Sequence, residues 1–193
     1  LNNHIMPKLF ILLFTFSFHL IAEAVSLPAV INSHMVLQRD MPVPIWGWGE
    51  AGETVTVSFA GQKKETTAGK NGEWMVKLDK LKANASPSLL TVKGNNEIKL
   101  GNILVGEVWI CSGQSNMELP VLRVKDSKKE IESADYPQIR LFTVDHSANA
   151  ESTRDNVDGE WLMCNPVTVD RFSAVAYFFG RELYKEINVP IGL

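Results

Sequence analysis

Ile103-Leu104-Val105-Gly106-Glu107-Val108-Trp109-Ile110, followed at once by Cys111-Ser112-Gly113-Gln114-Ser115-Asn116-Met117, is the stretch on which the fold turns. Eight nearly continuous apolar positions read as a strand buried on both faces, the habit of a parallel sheet. The small polar residues behind it mark where the strand ends. Downstream, Asp126 is placed to cap a short helix running through Ala134, with Pro137 at its exit. Gln138–Val144 is a second strand candidate. Ser173–Ile187 has the clearest helical period: Phe172, Val175, Ala176, Phe179, Leu183 and Ile187 form one stripe. Asn188–Leu193 then looks like the entry to a third strand. This order implies right-handed crossovers and the first part of a doubly wound, flavodoxin-like α/β/α domain over residues 102–193. Three such strands would leave an apolar edge unpaired. The expectation is therefore an incomplete sheet, in the N-terminal part of a longer protein.

Residues 25–101, upstream, alternate short apolar stretches with turns. Thr54–Phe59 alternates at period two and stops at Ala60-Gly61. Lys70-Asn71-Gly72 carries the Asn-Gly hairpin signal before Trp74–Leu78, and Leu89–Lys93 and Glu97–Leu100 follow. Such spacing predicts a small antiparallel β-sandwich. Lys82–Ser88 reads as a polar loop holding the glycosylation-acceptor pattern Asn84-Ala85-Ser86. Residues 1–24 read as a leader: Met6 follows five upstream residues, Lys8 is basic, Leu9–Ile21 is apolar, and Ala22-Glu23-Ala24 suits cleavage. The apolar run is shorter than the roughly 20 residues a membrane span needs. The expectation is an exported protein, periplasmic or secreted, with no membrane anchor in its mature form.

The formal charge of −3 offers no positive field for phosphate backbones, so no nucleic-acid partner is expected. Two cysteines, Cys111 and Cys164, permit one bridge without implying it. Cys111 reads as a small buried residue of the strand. Neither cysteines nor histidines have metal-ligand spacing, and no metal or cofactor is expected. Trp109 reads as core and Trp161 as a loop residue. Trp46 and Trp48 share one face of a strand, for which packing is the default role.

Ser115 carries the chemistry. In open α/β sheets ligands bind outside the carboxyl ends of strands. A serine there presents its hydroxyl to the crevice, and its N–H can meet the oxyanion that develops in acyl transfer. Gly113 allows a sharp turn. The hydroxyl needs a histidine base within hydrogen-bond reach. Asp145-His146 is the one His beside a carboxylate in sequence, but neighbours on an extended segment face opposite ways. The other reading of Ser115 is a plain helix cap. The pattern Gly-x-Ser-x-Gly is absent, because Met occupies position 117.

Gly106–Met117 resembles the nucleophile block of the sialate O-acetylesterase family, a branch of the Ser-Gly-Asn-His hydrolases. Pro137–Val144, Phe172–Leu183, Met35–Arg39 and Pro44–Trp48 extend the resemblance over nearly the whole chain beyond the leader. The resemblance implies metal-free removal of acetyl esters from sugars such as O-acetylated sialic acid, with Ser115 as nucleophile. It also implies that Gly113, Gln114 and Asn116 orient the turn or the substrate. In that family the base comes from an Asp-x-x-His block, and further oxyanion donors from a glycine-rich block, neither found in these 193 residues. The chain alone is then expected to be nearly inactive. Two alternatives stay open: an acetylxylan-type esterase, and a non-catalytic glycan-binding or structural remnant.

Overall fold

The computed structural model describes residues 24–144 and 156–193. Residues 1–23 of the expected leader, and Asp145-His146, lie outside the described residues.

Among the described residues, ten strands and two α-helices follow in chain order: β1 Val36–Gln38, β2 Val43–Trp48, β3 Thr54–Phe59, β4 Gln62–Thr67, β5 Glu73–Leu78, β6 Asn84–Lys93, β7 Glu97–Val108, α1 Ser127–Glu132, β8 Tyr136–Phe142, β9 Trp161–Cys164, α2 Ala174–Ile187 and β10 Ile191–Gly192. They make an α/β fold with a large mixed sheet and few helices. The large sheet runs β4-β3-β6-β7-β10-β8-β9, with β1 pairing β7, and β2-β5 is a separate two-stranded ribbon.

The twelve-residue β7 joins what the sequence reads as two strands on either side of Gly101. Its first part pairs antiparallel with β6, Leu90 opposite Leu100 and Lys93 opposite Glu97. Its last part pairs parallel with β1, Val36 opposite Leu104, and with β10, Ile191 opposite Glu107. Asn102, with a left-handed φ of 58°, lies just before the residues that pair with β1, while β6 still pairs at Ile103 and Val105. Gly106 has no room for a side chain, since a Cβ there would lie 1.8 Å from the carbonyl oxygen of Pro190, the residue that leads into β10.

The apolar edge expected of a three-stranded parallel unit is covered. β10 lies between β7 and β8, and β9 closes the far side of β8 in antiparallel register, Leu162 opposite Leu141. Trp161, taken as a loop residue, is the first residue of that edge strand. It is 7% exposed, packs on Phe142 with ring centroids 5.3 Å apart, and donates from Nε1 to the Val30 carbonyl at 2.8 Å.

Other local expectations shift in the same way. The Asn71-Gly72 turn links β4 of the large sheet to β5 of the ribbon, so it is not the end of a paired hairpin. Paired hairpins are formed instead by β3-β4, turned by Ala60 and Gly61 at φ 48° and 77°, and by β6-β7. Most of the expected polar loop at 82–88 belongs to β6, whose register slips between Asn84 and Leu90. Asp126 does precede α1, but at φ 57° and without a side-chain cap. Pro137 falls inside β8.

Two apolar cores result. The first holds Ile45, Val55, Val57, Leu78, Leu90 and Ile103 among others, between the ribbon and the large sheet. The second gathers Val121, Ile139, Leu141, Cys164, Tyr177 and Ile191 under α2. Ser173 caps α2 by accepting the Ala176 N–H at 3.2 Å.

Candidate active site

Ser115 opens a short 3-10 turn, Ser115–Glu118, seven residues beyond the end of β7. Ser112, Gly113, Gln114, Ser115 and Asn116 are all exposed. The first bond closing the turn runs from Met117 N to Gln114 O at 2.8 Å. The amides of Ser115 and Asn116 therefore precede it, at the end of the turn where N–H groups point outward. Gly113 has its own reason to lack a side chain: a Cβ would sit 2.9 Å from Met117 Cγ. Its φ is not left-handed, so close packing against Met117, and not a strained turn, requires the glycine. Gln114 takes the extended conformation at the N-cap and makes no side-chain cap bond.

Both ends of this exposed segment are tied down. Downstream, Ala174 N donates to Leu119 O at 2.8 Å and Val121 N to Phe172 O at 3.1 Å, joining the turn to the start of α2. Upstream, the last β1–β7 pair is Gln38 with Gly106. One step beyond it the Gln38 side chain takes over from the strand, its Oε1 accepting the Val108 N–H at 2.8 Å. Gln38 Nε2 also reaches Glu107 Oε2 at 3.2 Å, and Arg39 Nε donates to Glu107 Oε1 at 2.6 Å. This brace joins two sequence blocks nearly 70 residues apart. Both blocks are visible in the sequence, but only the short apolar run Met35-Val-Leu ending in Gln38-Arg39 hinted at a role for Gln38, Arg39 or Glu107.

A second polar cluster also went unforeseen. Arg140, 3% exposed within β8, donates from Nη2 to Asn102 Oδ1 at 3.0 Å, from Nη1 to the His34 carbonyl at 3.1 Å, and from Nε to the Pro137 carbonyl at 2.9 Å. Burial pulls its pKa below the ordinary guanidinium value. His34 Nδ1 lies 2.9 Å from Asn102 Nδ2. Among the described residues His34 is the only histidine, and it is committed to this cluster. The signal available was a lone arginine in the apolar run Ile139–Phe142.

The cysteines are free, Cys111 half-buried and Cys164 buried. Burial raises both thiols, Cys164 to about 12 with a smaller contribution from Asp135. Neither is an activated nucleophile. Cys111 lies past the end of β7, not within it. Trp109, read as core, is 44% exposed and meets Phe179 edge-on at 5.1 Å. Among the described residues no group of three or more His, Cys, Asp or Glu side chains could hold a metal ion. None of their helices is long and apolar enough to cross a membrane. A depression of about 360 Å³ lies on the β2–β5 ribbon, its lining drawn wholly from β2 and β5 and none of it from the Ser115 turn.

An exposed serine turn, held at both ends and following the carboxyl end of a partly parallel strand, defines the class: an α/β protein whose candidate site sits on a loop at a sheet terminus. No family model matches the chain. It is 37% identical over 183 residues to a sialate O-acetylesterase of Rattus norvegicus, covering 84% of this chain and 34% of that protein. The corresponding figures for the Homo sapiens sialate O-acetylesterase are 34% over 182 residues, 84% and 35%. A crystal structure of a carbohydrate acetylesterase from Xanthomonas citri superposes with a TM-score of 0.84 at 36% identity, covering 88% of this chain and 39% of that one. The chain belongs to the sialate O-acetylesterase-like family. It spans about a third of the length of the curated relatives it matches.

Proposed function

We propose that this chain carries the nucleophile of a carbohydrate O-acetylesterase. Ser115 Oγ attacks the acetyl carbonyl carbon and passes its proton to a histidine base. The resulting oxyanion is met by the Ser115 N–H, and its collapse expels the sugar oxygen, which takes the proton back. Water then attacks the acetyl-serine, releases acetate and restores the hydroxyl. Gly113, Gln114 and Asn116 hold the turn, and the Gln38–Arg39–Glu107 brace fixes the strand end from which it springs.

The observation that carries the reading is the exposure of Ser115 on a turn anchored on both sides. A nucleophile must be reachable while its position is fixed, because misplacement by about 1 Å costs on the order of a hundredfold in rate. The base comes from outside the described residues, since His34 is held by Arg140 and Asn102. As part of the same proposal, residues 25–101 form a sandwich-like domain and residues 102–193 begin a doubly wound sheet. The protein is exported after cleavage near Ala24, and its substrate is an acetylated sugar without metal or other cofactor.

Ser115→Ala tests it. In the longer protein that supplies the histidine base, acetate release from O-acetylated sialic acid is expected to fall by at least about 10³-fold with an unchanged melting temperature. An unchanged rate removes Ser115 from the mechanism. Release from acetylated xylan, measured beside it, identifies the sugar class.

A further inference from the structure

Strand β2 presents tryptophan where a solvated strand presents polar residues. Along it, Val43, Ile45 and Gly47 face the first core, while Pro44, Trp46 and Trp48 face outward. On β5, Met75 stands opposite Trp46 and Glu73 opposite Trp48. Antiparallel sheets with one solvated face normally alternate apolar-in and polar-out. Here two tryptophans whose Cα atoms stand about 6.7 Å apart along the strand make a shelf, and Met75 beside them is 50% exposed. Trp74, by contrast, points inward and is buried. Trp46 leans on the margin of the first core, whereas Trp48 is not part of it.

The shelf is the floor of a depression of about 360 Å³, within the size range of small-ligand clefts. Its one charged lining side chain is Glu73. That carboxylate is held ready: Asn71 Nδ2 donates to Glu73 Oε2 at 2.6 Å, and Asn71 Oδ1 accepts the Glu73 N–H at 3.2 Å.

We propose that the outer face of the β2–β5 ribbon binds a neutral pyranose glycan, with Trp46 and Trp48 stacked under the sugar and Glu73 accepting hydrogen bonds from its hydroxyls. A pyranose has a flat C–H face and a polar rim, and the ribbon offers an aromatic face with an acceptor at its edge. The charge selects within the sugars: an anionic residue such as a sialic acid would bring its carboxylate against Glu73, which disfavours it. This is a binding site separate from Ser115, and it does not rest on the esterase reading.

Electrophoresis of the protein through gels containing xylan, a soluble β-glucan or polysialic acid tests it, with Ser115→Ala as parent so that no deacetylation intervenes. Xylan or the β-glucan is expected to retard the parent, and polysialic acid to leave it unaffected. Trp48→Ala should weaken the retardation at least tenfold and Glu73→Gln about threefold, both with melting temperatures near the parent's. No retardation by either neutral polysaccharide overturns the proposal, as does equal retardation of Trp48→Ala. A large drop in melting temperature for Trp48→Ala also overturns it, because the shelf would then be packed against polypeptide. Retardation bears on this face alone, and acetate release on Ser115 alone, so failure of one is distinguishable from failure of the other.

Discussion

The two cores of the molecule differ in how completely they close. Around the first, the ribbon and the large sheet bury Ile45, Val55, Val57, Leu78, Leu90 and Ile103 to 0% exposure. Beside the second, Trp109, Ile110, Leu119, Leu122, Val175 and Phe179 stay 41–93% exposed. These residues lie on the segments flanking the serine turn and on α2. The helical stripe visible in the sequence thus lies partly outside: Val175, Phe179 and Ile187 are exposed, while Ala174, Ala176, Tyr177 and Gly180 form the buried side. A helix apolar on more than one side satisfies its sheet with one and leaves the other available. Ile139, Tyr177 and Ile191 of the second core are 0% exposed as well, so what sets it apart is the exposed apolar surface at its border, beside the serine turn.

Strand β7 lines the first core and pairs with β10 of the second, and substitutions within it and just past its end break the comparison most sharply. Ile103→Asp places an unpaired charge in the first core and should cost more than about 4 kcal/mol, read as loss of the folded state in a denaturant titration. Ile110→Asp, seven residues on and 93% exposed, should change stability by no more than about 0.5 kcal/mol. Equal effects would erase the distinction between the two cores.

Arg140 ties the cores together, since it sits between Ile139 and Leu141 of the second and bonds to His34 and Asn102 beside the first. Arg140→Met leaves those buried acceptors unpaired, at a cost of about 2–3 kcal/mol. Its thermal melt should separate into two transitions where the parent shows one. A single transition at the parent's temperature would show that Arg140 does not couple them.

The smallest effect is alkaline. The folded pKa of Cys164, about 12, stands above the ordinary thiol value of 9.0 because burial disfavours the thiolate. The stabilisation from its neutral form is therefore complete below pH 9.0 and is lost as pH rises from there toward about 12. Melting temperature should fall across that window, and Cys164→Ala should flatten the fall. Cys111 is half-buried, and its thiol is raised less, so Cys111→Ala should leave the slope in place.

Legibility followed the range of the interaction. The alternation of Thr54–Phe59 and the period of α2 with its Ser173 cap were visible because neighbours along the chain make them. Strand β4, Gln62-Lys-Lys-Glu-Thr-Thr67, was invisible because a solvated edge strand needs no apolar signature. Asn84–Ser88 looked like a loop because the partner that makes it a strand is β7. Trp109 and Trp161 exchanged roles for the same reason: composition favours burial for any tryptophan, and only the packing around β9 and α2 says which one receives it. For the candidate site, Ser115 and its turn were legible, but the brace that positions them was not.

The sequence alone determined the strand-rich first half, the long apolar strand, the capped helix, and a serine exposed just beyond a strand end, since each rests on local periodicity or turn chemistry. Tertiary structure alone decided that β7 is one strand reaching from its pairing with β6 to its pairing with β10, that β9 covers the sheet edge, and that Gln38, Arg39 and Glu107 meet. Those outcomes depend on free energy gained between segments tens of residues apart, where burial and hydrogen bonding are settled by which surfaces meet.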